Sequence, residues 1–142
     1  MPIEIASGKR TSLVLFIGLL SVCCAADQQV LAPTREAPAS LGEVTTHADA
    51  NGNTLLRVEV DHLPPPDALA PELRNYVVWV RPAGGYDYLN VGQLKISDER
   101  SGELETTTPH SDFDVLVTAE ASGAPTQPSA HVILQGRARK ES

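Results

Sequence analysis

A chain of 142 residues with 42% hydrophobic content is long enough for one globular domain and a leader. Its 11 basic and 18 acidic residues give a formal charge of −7, and the only dense basic stretch is Arg137, Arg139 and Lys140, so nucleic acid is excluded as an expected partner. Both cysteines, Cys23 and Cys24, precede the region expected to fold, which excludes an internal disulfide, a thiol nucleophile and a thiolate metal site there.

Lys9 and Arg10 stand before an apolar run over residues 13–22. A positive flank ahead of a short apolar core is the pattern of a secretory signal, and the run is too short to cross a bilayer as a helix. Two processing points compete. Leu20-Ser21-Val22-Cys23 resembles a lipobox, with Val22 departing from the small residue expected there; this reading makes Cys23 the site of lipidation and attaches the protein to a membrane. Ordinary cleavage after Ala26 is the alternative, with Cys24 and Ala26 at the two small-residue positions. Residues 1–26 are therefore expected to be a signal peptide. Residues 27–40 hold two prolines and no periodicity and are expected to be a flexible linker, which leaves 41–142 as the folded domain.

Within that domain Val44, Thr46 and Ala48 alternate with Glu43, Thr45 and His47, and Leu56, Val58 and Val60 alternate with Arg57, Glu59 and Asp61. The turn residues Asp49, Asn51 and Gly52 between the two runs mark a hairpin. A two-residue turn would set Val44 opposite Glu59, core against solvent. A three-residue loop, Ala50-Asn51-Gly52, sets Val44 opposite Val58, and it places Gly52 where a left-handed residue is needed. Residues 63–74 carry Pro64, Pro65, Pro66 and Pro71 and are expected to cross over without joining a ladder, with one helical turn over 68–73.

The strongest strand signal is 75–81, which contains the only tryptophan. Tyr76, Val77, Val78, Trp79 and Val80 are all β-branched or aromatic, so this is expected to be a central strand covered on both faces. Asn75 and Arg81 share the parity of Val77 and Trp79, which turns Tyr76, Val78 and Val80 to the core and leaves Trp79 on an outer face, partly covered. Then come a weaker strand within 86–96, a polar turn at 98–102 and a threonine-rich strand at 103–108. The strand 113–120 follows, with Phe113, Val115, Val117 and Ala119 inward and Leu116 outward. After a loop at 121–130, a last strand at 131–135 turns Val132 and Leu134 inward and runs into a charged tail. About seven short strands with turn signals and no long helix predict an all-β fold, an immunoglobulin-like antiparallel β-sandwich.

The strands 76–80 and 113–120, with Gly92-Gln93-Leu94 between them and Pro125-Thr126-Gln127-Pro128 after them, are similar to the extracytoplasmic domain of anti-sigma-K-type factors. Such domains have a Tyr-x-x-Trp strand, and a Val-Thr-x-Glu strand followed by a proline-containing loop. The resemblance covers roughly residues 41–134. It implies the fold and an envelope location. The family's sigma-binding segment and membrane-spanning helix have no counterpart in the residues that carry the resemblance, so it implies no sigma binding and no functional residue.

No arrangement of side chains announces catalysis or a cofactor. Asp49, Asn51 and Asn53 resemble the start of a calcium loop, but glycine falls fourth instead of sixth and no glutamate stands twelfth, so a hairpin accounts for them. His47, His62, His110 and His131 are scattered, without metal-ligand spacing. Asp114 and Glu120 lie three residue pairs apart on one strand face, too far to serve as a glycosidase pair. Ser111 has no nucleophile motif around it. Tyr86 and Tyr88, with Trp79, are candidates for an aromatic platform that binds glycan. The expected function is that of an exported, non-enzymatic module of the bacterial cell envelope, without metal or cofactor. It would contact a protein partner through the stiff crossover at 63–74 or an exposed sheet edge. A glycan-binding module using the tyrosines is the alternative.

Overall fold

The computed structural model describes residues 27–140. The signal peptide, Cys23 and the cleavage point after Ala26 lie outside the described residues. The domain is all-β. Nine strands form one antiparallel sheet in the order β5-β4-β8-β9-β1-β2-β3-β7-β6, rather than the expected seven in two separate layers. In chain order the elements are β1 (Asp27–Pro33), β2 (Leu41–Ala48), β3 (Thr54–Asp61), a single helical turn α1 (Pro66–Leu69), β4 (Asn75–Pro82), β5 (Leu89–Gln93), β6 (Lys95–Ile96), β7 (Gly102–Thr108), β8 (Asp112–Glu120) and β9 (Val132–Arg139). Among the described residues no helix is long and apolar enough to cross a membrane.

Two segments wrap this sheet nearly into a barrel. β1 pairs with β2 over Asp27–Leu31 and then with β9 at Ala32 and Pro33. β5 and β6, the two ends of the sheet, are separated in sequence by Leu94 alone, whose N–H donates to the Tyr76 carbonyl at 3.0 Å. At Leu94 the chain leaves β4 and joins β7. The core fills the interior, with Leu31, Val44, Leu56, Val58, Tyr76, Val78, Val80, Phe113, Val115, Val117, Ile133 and Leu134 all buried. The Tyr76 hydroxyl donates to the Pro64 carbonyl, and burial pushes its pKa up to about 12.

The hairpin of β2 and β3 has the parity-selected register, with Val44 opposite Val58 and Ala48 opposite Thr54. Gly52 has φ 84°, and the Asp49 carboxylate accepts the N–H groups of Asn51 and Asn53, both at 2.8 Å. Phe113, Val115, Val117 and Ala119 point inward as expected.

Several expectations are corrected. Residues 27–33 are not a linker but a strand in the middle of the sheet, and residues 34–40 are not free either, since Ala37 and Ser40 are buried. β1 eludes sequence reading because only Leu31 of its seven residues is buried. Gly42 and Gly136 make room for Leu31: a Cβ on either glycine would meet a neighbouring leucine methyl at 2.7 Å, Leu134 for Gly42 and Leu31 itself for Gly136. The helical turn is at Pro66–Leu69 and not 68–73, because proline fits the first turn of a helix, where its missing N–H has no partner to lose.

The charged tail is the second half of β9, with Arg137 opposite Asp114 and Arg139 opposite Asp112. Val132 does not face the core. A bulge between the pairs Val117–Leu134 and Thr118–Val132 inserts Ile133, which takes the inward place and reverses parity beyond it.

Trp79 has the predicted parity but not the predicted exposure. It lies on the face opposite Tyr76 and Val80, and it is wholly buried there with Val77, Leu116, Tyr88 and Val132. A second, smaller apolar cluster therefore sits outside the barrel wall.

Candidate binding surface

The sheet presents two outer faces of different character. On the face of β4, β5 and β8, the loop at 121–131 lies over Trp79. The indole N–H donates to the Thr118 hydroxyl at 2.8 Å, Thr118 donates to the Glu120 carboxylate, and the same carboxylate oxygen accepts the Ser129 N–H at 2.7 Å. The Ser129 hydroxyl donates to the Ala119 carbonyl, and the Asn90 side-chain amide donates to the Pro125 carbonyl at 3.2 Å. A Cβ on Gly123 would overlap the Gln93 amide, so the loop is seated directly on β5. Asn90 is paired opposite Trp79 and Gln93 opposite Val77, which places both ties on the tryptophan side of the sheet. Glu120 is thus absorbed by the cap, and Asp114 is bound by Arg81 at 2.7 Å.

Among the described residues, the outer face of β1, β2, β3, β7 and β6 has no such cover. Core-facing Val44, Thr46, Leu56, Val58 and Val60 have even numbers in this hairpin, so the odd positions face outward. Antiparallel pairing then lines up Val30, Glu43, Glu59, Glu103 and Lys95 in a single row across five strands. The adjoining rows bring Gln28, Thr45, Arg57 and Glu105 to one side and Leu41 and Asp61 to the other. Like charges directly opposite each other on neighbouring strands destabilise a sheet by ~0.2–1 kcal/mol per pair.

Arg57 relieves part of this repulsion, lying 3.1 Å from Glu103 and 3.5 Å from Glu59. The hydrogen bond that Arg57 donates to Glu103 and the charges of Glu103 and Glu59 raise its pKa and hold it protonated. A groove of about 1020 Å³ runs over this face, lined among others by Val30, Leu41, Glu43, Glu59, Glu103 and Ile96. Val30 and Leu41 are 76% and 60% exposed, and with Ile96 they give this charged face its apolar surface.

The remaining candidates disperse. Tyr86 is fully solvated, whereas Tyr88 packs against the Trp79 cluster with the Arg81 guanidinium 4.5 Å above its ring, so the two tyrosines share no platform. His131 pairs with Glu36 at 2.9 Å. Among the described residues no group of histidine, cysteine, aspartate or glutamate side chains could hold a metal ion. A smaller hollow of about 390 Å³ holds Asp112, Arg137 and Arg139. Asp112 accepts from Arg137 at 2.7 and 2.8 Å, and the guanidinium holds its carboxyl below the usual carboxylate range, so this cluster satisfies itself.

Sequence reading missed the groove for a definite reason. Glu43 and Glu59 are legible as outward residues of a hairpin, but their alignment with Glu103 depends on β7 pairing with β3, and the Val30 wall depends on β1. Comparisons with known proteins find no matching family model, no similar curated protein and no similar solved structure.

Proposed function

We propose that this chain is an exported, non-enzymatic module of the bacterial cell envelope that works by binding another protein. The observation that carries the reading is the groove on the open face, where exposed Val30 and Leu41 stand beside the carboxylates of Glu43, Glu59 and Glu103. Exposed aliphatic side chains next to a polar rim are the chemistry of a protein contact. The leader pattern supports export, with attachment by a lipid on Cys23 or release after Ala26. The similarity of 76–80 and 113–120 to the extracytoplasmic domain of anti-sigma-K-type factors supports an envelope location. It also supports reading the sheet as an immunoglobulin-like sandwich whose two halves are joined at β1 and at Leu94.

Crosslinking in intact cells tests this, with a photoreactive residue at Leu41 and a control at Asn51 in the hairpin tip. The expected result is a specific protein adduct from position 41 that Val30→Asp abolishes. Adducts from position 51 alone would overturn the reading.

A further inference from the structure

The same open face ends at a sheet edge that is paired over only part of its length among the described residues. β7 pairs with β3 along its whole length, Thr54 opposite Thr108 through Val60 opposite Gly102. On its other side β7 has a partner only at Gly102 and Glu103, where Ile96 and Lys95 of β6 meet it. Before Leu94 the chain is paired to β4 as β5, so among the described residues 104–108 have no paired strand on that side. Gly92 of β5 still comes close to Leu104, since a Cβ there would lie 3.0 Å from a Leu104 methyl. Further along, the seam is open: Leu89, paired with core-facing Val80, is 52% exposed.

Proteins usually blunt a free edge with lysine, proline, a bulge or a covering loop. Residues 104–108 read Leu-Glu-Thr-Thr-Thr and include neither lysine nor proline; Pro109 comes only after the strand ends. No bulge interrupts the pairing of β7 with β3. Threonine suits a pleated strand, so the edge is a ready template for pairing.

Resting on the reading of this face as a protein-contact surface, we propose that the free edge of β7 at 104–108 accepts an extended segment of the partner protein as a tenth strand, antiparallel to β7 and in line with β6, with apolar side chains inward and lysine or arginine outward. The inward positions of such a strand would lie beside Leu104 and Thr106 and reach towards the half-exposed Leu89, closing the mouth of the barrel. The outward positions would lie beside Glu105, at the end of a face that carries Glu43, Glu59 and Glu103 against Arg57 and Lys95. Main-chain hydrogen bonds would supply affinity, and the alternating side chains would supply selectivity.

The test uses the isotopically labelled full chain and capped octapeptides of alternating valine and lysine, or of alternating valine and glutamate, at up to millimolar concentration. The lysine peptide is expected to slow amide hydrogen exchange at alternate residues of 104–108, with no protection from the glutamate peptide. Glu105→Lys, an exposed change, is expected to weaken the lysine peptide roughly tenfold and to favour the glutamate peptide. Shifts confined to Glu43 and Glu59 without protection of β7 would overturn strand addition while leaving the groove as the contact surface. No response at either place would overturn both.

Discussion

The two outer faces belong to one continuous antiparallel sheet, yet one is sealed and the other is open. On the sealed side, Val77, Trp79 and Leu116 face away from the barrel interior and are nevertheless buried, because the 121–131 loop is bonded over them through Thr118, Glu120, Ser129 and Asn90. On the open side, the equivalent outward positions of β1, β2, β3 and β7 carry carboxylates and two solvated aliphatic side chains, and β7 keeps an unpaired edge. The contrast separates two uses of a sheet face. Burial on both faces makes β4 and β8 the mechanical centre of the domain. Incomplete burial leaves the β2–β3–β7 face with like charges in a row, an arrangement that stability alone does not favour and that a positively charged partner would relieve.

The sharpest way to break the comparison is truncation on each side. Trp79→Ala is expected to cost about 3–5 kcal/mol in a denaturant melt, as for a large aromatic side chain in a core. Leu41→Ala, on the open face, is expected to stay within about 0.5 kcal/mol. Similar losses at the two positions would mean that the faces are energetically alike.

A smaller effect examines what holds the cap. Thr118→Val keeps the shape of the side chain but removes the hydroxyl between the Trp79 N–H and the Glu120 carboxylate. Leaving buried polar groups without partners is expected to cost about 1–3 kcal/mol, read as a shifted denaturation midpoint. A neutral outcome would show that apolar contact alone seats the loop.

The smallest effect has the opposite sign. Glu43→Gln removes one of three aligned carboxylates and is expected to stabilise the domain by ~0.2–1 kcal/mol at low ionic strength. Because Glu43 is exposed, the gain should fade as salt shortens the range of the repulsion. Destabilisation at low salt would mean that the hydrogen bond from Gln28 to Glu43 outweighs the repulsion within the row.

Much of the fold was legible along the chain wherever one residue's neighbours decide its place. Alternation and turn chemistry were enough for the β2–β3 register, since only a three-residue loop keeps Val44 opposite Val58 and only a left-handed position calls for Gly52. The unbroken apolar run of β4 implied cover on both faces, and all five residues from Tyr76 to Val80 are buried. Parity also assigned Tyr76, Val78 and Val80 to the interior.

What tertiary structure alone decided depends on contacts between residues distant in sequence. The degree of Trp79 burial was set by the loop at 121–131, tied in through Thr118 and Glu120, which no local pattern links to β4. β1 became a strand because Gly42 and Gly136, on two different strands, leave room for one leucine; its own composition reads as a linker. A single bulged residue, Ile133, sent Val132 to the other face. The candidate binding surface belongs wholly to this second kind. Glu43, Glu59 and Glu103 form a row, and β7 has a free edge, only because of the order in which the strands pair, and that order follows from how nine strands close around one core.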